Sequence, residues 1–195
     1  VEDLYRPYRP KRKTRASVAR EKGLEGLAEY LLKQEAEHPL EEEAAKYINE
    51  EKEVKNAGEA LQGARDIIAE MISDEADYRI YIRNITMEEG LLTSTAKDEK
   101  AQSVYEMYYD YQEPVKKAAG HRVLALNRGE SEKFLTVKVE ASVERILQYL
   151  AKKVITRENT YTTPVLQEII RDAYDRLIAP AIEREIRNEL TEKAE

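Results

Sequence analysis

The chain contains no cysteine and no tryptophan, and only one phenylalanine and two histidines among its 195 residues. Without cysteine it has neither disulfides nor thiolate metal sites. Its seven glycines stand as singles, so there is no glycine-rich loop to cradle a phosphate. No apolar run approaches the roughly 18 to 20 residues that a bilayer crossing needs, and no signal-peptide core appears. These absences point to a cytoplasmic, non-membrane protein.

Catalytic chemistry is equally thin. His38 precedes Pro39 in an acidic loop and reads as solvent-facing. His121 reads as a structural residue at a helix start beside Arg122. Glu41-Glu42-Glu43 and Glu88-Glu89 read as solvated helix faces, and neither predicted strand carries the internal aspartate that a two-metal nuclease would use. The expectation is a non-catalytic protein with no cofactor and no metal.

What is present is mainly helix-forming. Hydrophobic residues make up 42% and charged residues 36%, which suits a helical fold and is too apolar for disorder. Thr14 reads as the N-cap of a short helix through Val18 and Ala19 that stops at Gly23. Leu24, Leu27, Ala28, Leu31 and Leu32 then repeat at helical spacing. This pair is helix-turn-helix-like, but the polar face of its second helix is Glu25, Glu29 and Lys33, which offers phosphates little; an ordinary helical hairpin is the preferred reading.

A third helix is expected through Leu40, Ala44, Tyr47 and Ile48, and a fourth with Val54, Ala57, Leu61, Ala64, Ile68, Met71 and Ile72 on one face. Ser73-Asp74 reads as its end and as the cap of a fifth, with Ala76, Ile80, Ile85 and Met87 apolar and Gly90 as the stop. The period then changes. Leu91-Leu92-Thr93-Ser94-Thr95 and Phe134 to Glu140 have strand character and predict a two-stranded antiparallel ribbon leaning on helices. Between them lie Tyr105, Tyr108, Tyr109 and Tyr111, read as packing residues because Glu106 and Asp110 would repel phosphates. A helix from His121 to Gly129 follows, then one capped by Ser142. A last one starts at Thr163-Pro164 and is kinked or split at Pro180. The fold class is therefore mainly α: a multi-helix scaffold with a helix-turn-helix-like N-terminal pair and a small two-stranded antiparallel β-ribbon. Its expected parts are an N-terminal strip over 1–22, a helical lobe over 14–90, the ribbon with intervening helices over 91–140, and a helical segment over 141–195.

Charge is distributed unevenly. Residues 1–22 carry eight Lys/Arg against three Asp/Glu, so of a net −7 this strip holds +5 and the rest −12. Tyr5-Arg6-Pro7-Tyr8-Arg9-Pro10-Lys11-Arg12-Lys13-Thr14-Arg15 combines cations, rings and stiffening prolines. Two tasks fit it: contact with phosphates, or docking against another part of the same protein.

The strip, with Ala19-Arg20-Glu21-Lys22-Gly23-Leu24, His121-Arg122-Val123-Leu124-Ala125-Leu126-Asn127-Arg128-Gly129-Glu130, and Tyr161-Thr162-Thr163-Pro164 leading to Asp172-Ala173-Tyr174, resembles the bacterial Tex family of transcription accessory proteins. Two positions depart from the family's pattern: Gly26 stands where a proline is usual and Gly120 where a serine is usual. Gly26 is expected to loosen a helix start and Gly120 to serve as a substitute cap. Val1 is not a start methionine and Glu195 falls in a helical pattern, so the chain reads as an interior piece of a longer protein. The resemblance implies an N-terminal helical region ahead of RNase H-like, helix-hairpin-helix and OB-fold domains. It also implies RNA or DNA as a sequence-independent partner. The candidate phosphate contacts are Arg6, Arg9, Lys11, Arg12, Lys13 and Arg15, with Arg122 and Arg128 as weaker ones. The competing expectation is an intramolecular and protein–protein platform with no direct nucleic-acid contact.

Overall fold

The structure is a computed structural model that describes residues 13–195. The described residues form two compact units, one from those up to Met71 together with Ile155–Ile169, the other from Ile72–Val154 and Ile170–Glu195.

In the first unit, α1 (Arg15–Glu21) opens on a reciprocal cap: the Ser17 N–H donates to Thr14 Oγ1 at 3.0 Å and the Thr14 N–H donates to Ser17 Oγ at 2.9 Å. Two helix-end donors are satisfied without water. Gly23, at φ +78°, makes the left-handed turn into α2 (Glu25–Lys33), so the expected pair joined at this glycine is present. Leu24, Leu27 and Leu31 are buried, while Glu25, Glu29 and Lys33 face outward. Gly26 lies in the first turn of α2. A Cβ there would come within 2.7 Å of the Tyr47 hydroxyl, so the glycine admits the ring.

The third helix is shorter than its apolar residues suggest. α3 covers only Leu40–Ala44, a 3-10 turn covers Ala45–Tyr47, and Ile48 is 43% exposed. A tight loop closed by the Asn49↔Val54 bridge, with Glu53 at φ +62°, diverts the chain. α4 (Ala57–Asp74) then buries Ala60, Ala64, Ile67 and Ile68 within this unit; Ala64 and Ile68 lie on the face its period predicts, whereas Met71, expected there, is 47% exposed. The returning segment is tied on by polar groups. Gln34 Oε1 accepts from the Thr156 and Arg157 N–H groups, and Asn159 donates to the Ala36 carbonyl. Asn159 Oδ1 also accepts from the N–H groups of Tyr161 and Thr162, so α8 (Thr162–Asp172) starts ahead of the Thr163-Pro164 expected to open it.

The second unit is built on a sheet. β1 (Leu91–Ala96) is central, paired antiparallel with β3 (Leu135–Glu140), as expected, and with a third strand, β2 (Asp110–Pro114), which makes the ribbon a three-stranded sheet of order β2-β1-β3. Leu91 faces both Pro114 and Glu140. Leu92, Leu135 and Val137 are buried, and α6 (Gly120–Ser131) and α9 (Ala179–Ala194) pack against β3 and each other, contributing buried Leu126, Ile182 and Ile186.

α5 (Ala76–Glu89) buries Ile82 and Thr86; Ile80, expected inside, is 58% exposed because it lies on the opposite side from the 78/82/86 row. α7 (Val143–Val154) buries Ile146 and Leu150. Ser142 precedes it without capping by its side chain, which instead donates to Glu89. A π-helical stretch, Ala173–Ile178, precedes α9, whose first turn holds Pro180; the predicted interruption takes this form. Gly120 is the first helical residue of α6, with Ala119 in the cap position. Gly129 lies inside α6, which ends beyond it at Ser131, and Lys133 then turns the chain at φ +68°. A Cβ on Gly129 would come within 2.4 Å of Leu135 Cδ1, so its lack of a side chain serves helix–strand packing and not termination.

Candidate nucleic-acid interface

Of the candidate phosphate contacts, Arg6, Arg9, Lys11 and Arg12 lie outside the described residues. Lys13 and Arg15 open α1 and are both exposed, and neither forms an ion pair with a described residue. Cations at the positive end of a helix do not stabilise it, and the first turn of α1 holds no acidic residue to offset them. Helix stability therefore does not account for their position.

Below them is an open cleft of about 750 Å³. Its floor is Val18, Ala19 and Leu24; Lys13, Arg15, Lys22 and Lys55 line it together with Glu53, Glu59 and Asp66. The lining therefore mixes cations with carboxylates. One turn further along α1 the charge is already neutralised: Arg20 pairs with Glu25 and Glu70, both at 3.2 Å, and Thr14 Oγ1 donates to Glu70.

Arg122 and Arg128 belong to the second unit. Arg122 is held by a fork of hydrogen bonds to Glu113, Nη2 to Oε2 at 2.9 Å and Nε to the same oxygen at 3.1 Å. The Glu113 side chain is only 10% exposed. The hydrogen bond and the charge of Glu113 raise the pKa of Arg122, and the guanidinium is committed to a carboxylate that would otherwise be buried alone. Arg128, two turns on, is exposed and forms no ion pair with a described residue. His121 is exposed at the start of the same helix.

Most other described arginines are similarly engaged: Arg65 with Glu168, Arg83 with Glu189, Arg157 with Glu35, and Arg187 with Glu130, each at 2.8 Å. Arg187 also donates to Asn127 Oδ1 at 2.8 Å and ties α9 to α6. The tyrosines between β1 and α6 are packed. Tyr105 and Tyr108 are buried, the Tyr105 hydroxyl donates to Glu132, and Tyr109 donates to the Ala101 carbonyl. Among the described residues no three His, Asp or Glu side chains gather as metal ligands, and no helix is long and apolar enough to cross a membrane.

Residues 34–195 match the family model described as Tex central region-like. The whole chain is 52% identical to YdcI of Bacillus subtilis (strain 168), a protein itself uncharacterised, and spans 28% of its length. It is 36% identical to Protein tex of Bordetella pertussis, again over the whole chain and 26% of that protein, and 31% identical to the human S1 RNA-binding domain-containing protein 1, over 21% of it. The chain thus spans about a quarter of the relatives it matches. With a family model covering most of its residues and relatives similar from end to end, the chain belongs to the Tex family.

Proposed function

We propose that this chain is the non-catalytic helical scaffold of a Tex-like nucleic-acid-binding protein that acts in transcription or RNA metabolism, and that its basic N-terminal end contacts phosphates without regard to sequence. The observation that carries this reading is the contrast between Lys13 and Arg15, exposed and unpaired with any described residue, and the described arginines that carboxylates neutralise. Relatives named as a transcriptional accessory protein and as an S1 RNA-binding domain protein support the nucleic-acid association. A cytoplasmic location accords with it.

The test is to replace Lys13 and Arg15 by glutamate in the intact protein and titrate with a single-stranded RNA and a DNA duplex of unrelated sequences. Affinity should fall by a similar factor for both; unchanged affinity removes these two residues from the contact. Arg128→Glu, also unpaired, is expected to have a smaller effect, and Arg122 none that is separable from its ion pair. Incubation with nucleic acid and a divalent cation should give no turnover.

A second reading has its own support. The arginine–carboxylate pairs, Arg122–Glu113 foremost, favour an intramolecular and protein–protein platform for the residues beyond α1. The two readings divide on whether the N-terminal variant changes nucleic-acid affinity.

A further inference from the structure

We propose that the cleft beside α1 is the seat of the strip that precedes this helix: the Tyr8 ring lies on the apolar floor and its hydroxyl donates to Asp66. The inference concerns the tyrosines of the strip and stands apart from the phosphate reading, which concerns its cations.

The cleft lies within the first unit, walled by α1, the loop before α4, and α4 itself. Four cations, Lys13, Arg15, Lys22 and Lys55, share its lining with three carboxylates, Glu53, Glu59 and Asp66. These nearly cancel, so charge selects neither a polyanion nor a polycation as the occupant. What remains is more specific. Val18, Ala19 and Leu24 offer an apolar floor, and Asp66, only 9% exposed, accepts from Gln62 Nε2 at 3.0 Å while pairing with no described cation. A carboxylate withdrawn this far from water is better satisfied by a further donor. Floor and acceptor together fit an uncharged ring that carries one hydrogen-bond donor, which is a tyrosine. The chain already contains such a pairing, since Tyr105 buries its ring and donates to Glu132.

The segment that can supply the ring begins at the cleft. Lys13 lines it, and the reciprocal Thr14–Ser17 cap fixes where the chain enters α1. Tyr8 precedes Lys13 by a span of about 15 Å at the rise of polyproline II, which brings the floor within reach. The sequence also has the period of that conformation: Tyr5-Arg6-Pro7-Tyr8-Arg9-Pro10 repeats every three residues. Residues three apart share an edge there, so Tyr5 and Tyr8 fall on one edge, Arg6, Arg9 and Arg12 on a second, and the two prolines on a third. Seating the tyrosine edge leaves the arginine edge outside the cleft. The prolines lower the entropy lost on docking. The cleft volume of about 750 Å³ is that of a site for a compact ligand, for which roughly 300 to 1,000 Å³ is usual.

The test exploits the absence of tryptophan from the chain. Tyr8→Trp supplies a flat ring, an N–H donor and a single fluorescent reporter; Arg9→Trp puts the same reporter on the arginine edge. With no nucleic acid present, the Tyr8→Trp chain should emit further to the blue and be quenched less by acrylamide than the Arg9→Trp chain. Adding Val18→Glu, which charges a half-buried floor position, should abolish the difference, and adding Asp66→Leu instead should reduce it. Equal emission from the two reporters refutes the site, as does a blue shift that survives both second changes and so places the ring elsewhere. A blue shift that grows with protein concentration also overturns it, because the strip then docks on a second copy. Should Val18→Glu unfold the chain, Asp66→Leu decides, and an undiminished shift there refutes the site. Since the readout involves no nucleic acid, its failure leaves the phosphate reading standing.

Discussion

Arginine at position 122 shows how little a residue's charge says about its use. In sequence it is a cation at a helix start; in the fold it forms a two-pronged bond to a nearly buried Glu113. Removing either partner strands a charge, so Arg122→Ala should destabilise the second unit visibly in a thermal melt, and Arg122→Lys should recover only part, because an ammonium cannot reproduce the planar fork. Tyr174 gives a second handle. Burial raises its pKa above that of an ordinary tyrosine. Above pH 10 the unfolded chain therefore releases the phenolic proton before the folded one does, and stability falls as pH rises from there. Tyr174→Phe should lessen that alkaline loss relative to the parent in melts between pH 9 and 11 and leave neutral-pH behaviour governed by packing alone. Thr14→Ala, which deletes the α1 cap and its bond to Glu70, should cost about 1 kcal/mol in denaturant unfolding.

At the level of elements, legibility followed the source of the stabilising energy. β1 and β3 and the helices α4 and α7 are held by apolar periodicity, which is written in the sequence, and they form where the pattern places them. β2 is not. Its buried position is Glu113, made tolerable only by an arginine on α6, and it ends in Pro114, which an edge strand accommodates because no further strand needs the N–H that proline lacks. Asp110-Tyr111-Gln112-Glu113-Pro114 carries no alternation to read. Gly129 misled for a related reason: its stop signal is real in isolation, but a side-chain contact across α6 and β3 decides its role. Gly129→Ala should therefore overpack this junction by about 1 to 3 kcal/mol, and Leu135→Val in the same chain should recover part of the loss; full additivity of the two changes would argue against the contact. The tyrosine layer on α5 and α7 was also invisible, since Tyr78, Tyr81 and Tyr149 are far apart in sequence and only the pairing of the two helices brings them together.

For the whole molecule, the governing feature is the separation of a +5 margin from a −12 remainder. That asymmetry was plain in the sequence. The structure adds that the described part of the remainder neutralises most of its own arginines through specific carboxylates. The family likewise was legible, from short stretches near the start, the middle and the end of the chain. The most direct test of the central claim is the salt dependence of RNA binding by the intact protein with Arg6, Arg9, Lys11, Arg12, Lys13 and Arg15 all replaced by glutamate. If that margin makes the phosphate contacts, the slope of log affinity against log salt should become shallower by about four units. A slope that matches the parent across the salt series would contradict the account.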